Sequence, residues 1–217
     1  MIILAEEMST KEEEYRAILS RYMPLSAVGA VYAYISRRGV RFRISASRSS
    51  KLGDYRMPSV GHPYHEISVN GDLTPHMFLM VLLHEMAHLE TFEKYGRRVQ
   101  PHGHEWQMQY ANLLAEYLEG GHFPVEVREL MARYISHIPL NRAMGQRIER
   151  MLKELDGGGG KETTILGDLP LGSTFRLVHR PTAIFRSVEK RRTRYKCVEV
   201  STGLPYLVSG NAEVEEI

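Results

Sequence analysis

From Leu82 to Trp106 the chain reads LLHEMAHLETFEKYGRRVQPHGHEW, and four of its ten histidines stand in that stretch. Two of them, His84 and His88, are four residues apart with Glu85 between. On an α-helix that spacing amounts to about 40° of rotation, so both imidazoles emerge on one face. Glu85 lies about 60° from His88 on the same side, near enough to serve a metal-bound water without being a ligand. Imidazole binds zinc at roughly 2.0–2.1 Å, and a catalytic zinc needs three protein ligands and an open position. Two histidines are too few, and His102 and His104, on the turn after the helix, are the nearest candidates for the third ligand. The competing reading is a core helix whose polar residues are merely satisfied. It leaves a carboxylate in a segment apolar nearly all round, Phe78 to Leu89, where an unpartnered charge is among the most costly groups to bury. A metal and its water remove that difficulty.

The elements around this stretch are mainly helical. Ser9 or Thr10, with Glu12 or Glu13 three residues on, suggests a capping box opening a helix that ends before Pro24. A second helix is expected over Leu25–Arg38, stopped by Gly39. Val40–Ser47 alternates with a strand's period, YRMPSV and Tyr64–Asn70 offer partners, and Asn70-Gly71 reads as a turn. Thr74-Pro75 then supplies a cap and a first-turn proline for the long helix that carries His84 and His88 and ends at Gly96. Further helices are expected over Glu105–Glu119, Val125–Ile135 and Arg142–Leu155. Met144, Ile148, Met151, Leu152 and Leu155 give the last an apolar stripe, which predicts packing on the preceding helices.

Four glycines at 157–160 are costly to order and predict a flexible hinge. Beyond them the period becomes two. STFRLVH, AIFRSVE, TRYKCVEV and PYLVS are short strands separated by His179-Arg180-Pro181, a basic turn, Thr202-Gly203 and Gly210-Asn211, a pattern that predicts a small barrel or rolled sheet. The expected divisions are 1–138, a linking helix and glycine stretch over 139–160, and a β module over 161–217.

The single cysteine, Cys197, excludes an intramolecular disulfide and any cysteine-rich zinc ribbon, so a metal must be held by nitrogen or oxygen. No apolar run reaches the length of a membrane span, and the start, MIILAEEMSTKEEEYR, lacks the features of a secretion signal, so the expected compartment is the cytoplasm. The net charge of +2 is small. It lies wholly in the C-terminal piece, where residues 161–217 hold 9 Lys/Arg against 7 Asp/Glu. Arg186, Lys190, Arg191, Arg192, Arg194 and Lys196, interleaved with Phe175, Phe185 and Tyr195, could form a cationic groove with aromatic platforms for single-stranded nucleic acid. A solvated basic face over an aromatic core explains the same residues. Arg194 and Lys196 share a face with Val198, expected to point inward, so a bulge is predicted there.

H-E-M-A-H, then P-H-G-H-E-W with His102 placed after thirteen intervening residues, resembles the SprT-like, or Spartan-type, metalloprotease family, whose pattern is HExxH followed by H-G-x-x-aromatic. The stretch from Gly53 to His88 is similar to the family's lead-in, a short strand ending in an asparagine before the metal helix. The resemblance covers roughly Leu19 to Tyr117. It implies an α+β fold: a zincin-like domain with a short β-sheet packed on a central HExxH helix, followed here by a small all-β module of SH3 or OB type. It implies one zinc ion held by His84, His88 and His102, with Glu85 as the general base of a peptidase that hydrolyses peptide bonds with a zinc-bound water. His104 falls at a variable position, and Trp106 matches the aromatic that packs the second helix beneath the site. The other zincin spacings fit less well, since Thr91 and Lys94 stand where a metzincin has its glycine and third histidine. Tyr64, Tyr95, Arg97 and His104 are chemically able to steady an oxyanion. The family implies protein substrates, with proteolysis directed by single-stranded or damaged DNA. The four-cysteine ribbon of many members is impossible here, so any nucleic-acid role falls to the β module. The alternative is a nucleic-acid-binding protein whose zinc is structural, closed by a fourth ligand such as His104.

Overall fold

A computed structural model describes residues 2–48, 50–136, 138, 142–157, 164–178, 180–210 and 212–217. The described chain falls into two compact units, Met1–Gly158 and Gly159–Ile217. The first mixes helices with a small sheet, and the second is built on a β-sheet, so the class is α+β. No helix among the described residues is long and apolar enough to cross a membrane.

The first unit runs α1 (Ile2–Leu19), α2 (Leu25–Arg38), β1 (Arg41–Ser45), β2 (Gly53–Arg56), β3 (Glu66–Asn70), α3 (Pro75–Tyr95), α4 (His104–Glu119), α5 (Val125–Ser136) and α6 (Arg142–Leu155). Helix α1 begins well before the capping box expected at Ser9 or Thr10, which lie inside it. Gly39 ends α2 as expected, in the left-handed conformation, with its N–H turned back to the last carbonyls of the helix. The three strands order as β1-β3-β2, with β1 parallel and β2 antiparallel to β3. Central β3 is the buried strand, with Ile67 and Val69 fully enclosed. Its last residue, Asn70, is 1% exposed. Its Nδ2 donates to the carbonyls of Arg48 and Lys51, both at 3.1 Å, and its Oδ1 accepts from Arg48 Nε at 2.8 Å. One amide thus holds the loop that delivers the chain into β2.

Helix α3 runs through the middle of the core. Phe78, Leu79, Leu82, Leu83, Met86, Ala87 and Leu89 are all fully buried, which fits a helix apolar nearly all round, with the sheet, α4 and α6 packed against it. Thr74 was expected to cap it, but its hydroxyl makes no capping bond. The cap comes from 80 residues away. Asp156, just past α6 and with only 4% of its side chain exposed, accepts the backbone N–H of His76 at 2.8 Å through Oδ2. Its Oδ1 is hydrogen-bonded to His76 Nδ1. The apolar stripe of α6 supports this contact, because Ile148 and Leu152 are fully buried in the same core as α3.

The second unit contains β4 (Thr164–Ile165), β5 (Thr174–Leu177), β6 (Arg180–Lys190), β7 (Arg194–Glu199), β8 (Pro205–Ser209) and β9 (Glu213–Glu216). They form one antiparallel sheet in the order β4-β9-β5-β6-β7-β8. Leu166 and Gly167, just after β4, bond to Ala212 and Gly210, just after β8, so the sheet rolls round its own core. The hinge glycines from 158 onward, and His179 and Asn211 of two expected turns, lie outside the described residues.

Candidate metal centre

The helical period of α3 places the side chains of His84 and His88 one turn apart, as their spacing requires. His102 reaches them from the turn between α3 and α4. It is the one non-glycine residue with positive φ, 60°, among those described. Histidine tolerates the left-handed region better than most side chains, yet the conformation is uncommon and is retained where the surroundings enforce it. Here Gly103 N–H bonds back to the Gln100 carbonyl at 2.9 Å, and Gln107 Nε2 donates to the His102 carbonyl at 2.9 Å. The turn is thereby closed and the imidazole faces α3.

The three Nε2 atoms converge. His102 Nε2 lies 3.0 Å from that of His84 and 3.1 Å from that of His88. Three nitrogens on a tetrahedral zinc stand about 3.3 Å apart by the bond lengths given above. The donor set therefore fits zinc, as three nitrogen ligands with no thiolate or carboxylate among them. It is the one group of at least three metal-binding side chains found among the described residues, and His104 is not in it. Burial pushes His84 down to about 3 and His88 down to about 4, with the neighbouring imidazoles acting in the same direction. Burial also lowers His102. All three are neutral at pH 7, the form in which imidazole offers a lone pair.

Trp106, on the first turn of α4, is the floor. Its ring lies 4.6 Å from His84, 4.6 Å from His102 and 5.3 Å from His88, centroid to centroid, and Tyr110 stacks beneath it at 4.9 Å. This is the packing role expected for the aromatic residue.

Glu85 is 7% exposed. Burial raises it to about 7; Asp54 adds to the rise, while Lys51, Arg48 and a hydrogen bond from the Tyr55 backbone oppose it. The residues beside it include Gly53, Asp54 and Tyr55 of β2, a strand that begins two residues before the expected YRMPSV segment and that sequence reasoning did not bring to the site. Gly53 passes so close that a Cβ there would lie 2.5 Å from Glu85 Oε1, 2.8 Å from its Cγ and 2.8 Å from Val81 Cγ1. A glycine inside a strand often marks such a close approach, and that was the one available signal. Together with the histidines and Trp106, Gly53, Asp54 and Tyr55 line a cavity of about 500 Å³. Of the four residues able to steady an oxyanion, Arg97 lines this cavity, with its Nη2 donating to the Pro58 carbonyl at 2.6 Å. Tyr64, Tyr95 and His104 do not line it.

Protein-family models match residues 26–129 to the SprT-like family. The chain thus carries a SprT-like segment that spans just under half of its length. It is 33% identical over 66 residues to Protein SprT of Pseudomonas fluorescens (strain Pf0-1), a match covering 30% of this chain and 40% of that protein. No solved structure matches the chain. The SprT-like segment contains the sheet, α3, the His102 turn and α4, and so every residue of the candidate centre.

The six cations singled out in the second unit divide by position. Arg186 and Arg194 point outward from β6 and β7, Lys196 is half-buried on the same side of its strand as Arg194, and Lys190, Arg191 and Arg192 form the connecting end. Arg191 pairs with Glu189 at 3.5 Å. The aromatic platforms are not available. Phe175, Phe185 and Tyr195 are 0%, 1% and 4% exposed and make the core, because strand alternation sends them to the side opposite the cations. The irregularity expected within Arg194–Val198 does not occur there: β7 alternates without interruption, the register shift lies on its partner strand between Ser187 and Glu189, and Val198 stays on the side of Arg194 and Lys196. The hydrophobic residue, and not the cations, takes the unexpected side.

Proposed function

We propose that the protein is a zinc-dependent metallopeptidase of the SprT-like type, with His84, His88 and His102 as ligands and Glu85 as general base. The observation that carries this reading is the convergence of the His102 nitrogen, at 3.0 and 3.1 Å, on those of His84 and His88, beside a buried carboxylate on the helix that bears the latter two. Zinc held by those residues would polarise a carbonyl and bring the pKa of a water to about 7. Glu85, made a stronger base by burial, would when ionised take a proton from that water and pass it to the leaving amine. The outer edge of β2 adjoins the centre and has no strand partner among the described residues, so its backbone groups can pair with an extended substrate peptide. In this reading α3 and its sheet form a zincin-like core, and the second unit is a small SH3- or OB-like module. The cationic face of that module directs cleavage to proteins on single-stranded or damaged DNA by phosphate contacts, without base stacking on its buried aromatics.

The test is metal analysis with cleavage of an unfolded protein by wild type and Glu85→Gln. One zinc per chain in both, with cleavage confined to wild type, is expected. Equal cleavage by both ends the catalytic assignment. For the DNA arm, single-stranded DNA is expected to raise cleavage of a DNA-binding protein, and to lose that effect when Arg186, Arg194 and Lys196 are replaced by Ala. An unchanged effect removes the module from the role.

A further inference from the structure

A second cavity, of about 790 Å³, shares Gly53, His84, Glu85, His102 and Trp106 with the first. The two therefore meet at the candidate centre and differ in what surrounds it. The second is walled by Met77, Met80 and Val81 of α3, Leu52 before β2, Tyr110 of α4 and Tyr134 of α5. Its remaining lining includes Ile138 and, from α6, Glu149. Tyr134, Ile138 and Glu149 lie beyond the residues matched to the SprT-like family, so part of this wall is contributed by helices outside the matched segment. Gly145 brings α6 to that wall, since a Cβ there would lie 3.3 Å from the Tyr134 ring.

We propose that this cavity is a specificity subsite that takes a large apolar side chain, aromatic or long aliphatic, of the residue adjoining the bond to be cut. The proposal rests on the peptidase reading for its chemistry. Its volume lies within the range of sites that enclose whole small molecules, room for a large side chain with the backbone that carries it. Methionine, aliphatic and aromatic walls favour apolar surface, and flexible thioethers adapt to both flat and branched shapes. An acidic side chain would be desolvated against those walls, and the one lysine of the lining, Lys51, is already paired with Asp54 at 2.7 Å. The occupant is fixed by continuity, because the five shared residues are those that hold and flank the reacting centre.

Trp106 is the chain's one tryptophan and lines the cavity, so its fluorescence reports occupancy without any cleavage. The probes are blocked pentapeptides, alanine at every position except the centre, titrated into zinc-loaded Glu85→Gln protein. Central Phe or Leu should half-saturate at a concentration roughly tenfold or more below central Ala, with Asp the weakest. Leu52→Glu, at a 45% exposed position that does not threaten folding, should bring Phe and Ala to within about threefold of each other. In parallel, the sites cut by wild type in an unfolded protein are mapped by mass spectrometry. Apolar preference in both measurements supports the proposal. Preference in binding with no cleavage keeps the subsite and sinks the peptidase. Cleavage without preference in either measurement keeps the peptidase and overturns the subsite, and the absence of both overturns both.

Discussion

Replacing Gly53 by alanine should disable Glu85 while sparing the metal. The added Cβ would stand 2.5 Å from Glu85 Oε1 and 2.8 Å from both its Cγ and Val81 Cγ1, whereas ordinary contact begins at 3.4 Å. These atoms must retreat by about 0.6–0.9 Å. Rotating the carboxylate alone cannot relieve the clash, because Cγ is caught as well, and Val81 lies in the wall of α3. Gly53 does not occupy a left-handed conformation, so the effect is one of space and not of backbone strain. A misplacement near 1 Å at a reacting group can lower a rate by about 10²-fold. Overpacking of this kind costs about 1–3 kcal/mol, which for a chain of this length lowers Tm by roughly 2–12 °C. None of the three ligands is touched, so zinc content should remain one per chain. The assay is steady-state peptide cleavage beside metal analysis on the same folded sample. Cleavage within about twofold of wild type would refute the reasoning, as would zinc lost in step with activity, which would mean that β2 supports the ligands and not the base.

Three further outcomes follow from the same geometry. His102→Ala should weaken zinc binding in a chelator competition by at least about 10²-fold, whereas His104→Ala leaves it unchanged; equal effects would move the third ligand. Asp156→Ala removes the cap of α3 and should destabilise the protein by about 1–3 kcal/mol in urea unfolding, an effect that Thr74→Ala, whose hydroxyl has no partner, should not show. In metal-free protein Glu85 is held at about 7, above its unfolded value, so the folded state binds the extra proton and loses stability as pH rises from about 4.5 to 7. Glu85→Gln, which mimics the protonated form, should then be more stable than wild type by on the order of 2 kcal/mol at pH 8, with the gap closing by pH 4.5; a gap that widens toward acid would reverse the sign.

What could be read from the sequence and what could not divide along the distance over which a residue acts. His84, Glu85 and His88 are legible because helix period alone fixes their relation, and Gly39 and Pro75 because their backbone preferences are local. His102 was less open to reading from its spacing, since its approach depends on a left-handed turn that no spacing encodes; the family pattern supplied it. The cap of α3 was misplaced for the same reason. Thr74 stands at the expected position, but the charge that does the work comes from Asp156, 80 residues on. In the second unit β9 was missed because EVEE carries one apolar residue and three charges, and it joins the sheet only because β4 and β5 offer edges.

Gly53 shows the limit most clearly. A carboxylate proposed as a base inside an apolar helix must be desolvated enough to bind a proton firmly, yet keep space in which to move it. On α3 the desolvation is written in the residues that flank Glu85 in sequence. The space is written in a residue without a side chain, on a strand delivered by a loop that Asn70 holds. Selection on such a position acts on what is absent, so a composition or periodicity argument has nothing to register. The candidate metal ligands announce themselves by side-chain chemistry; the residue placed to aim the proposed base is found only where a strand's backbone comes against the side chains of a helix.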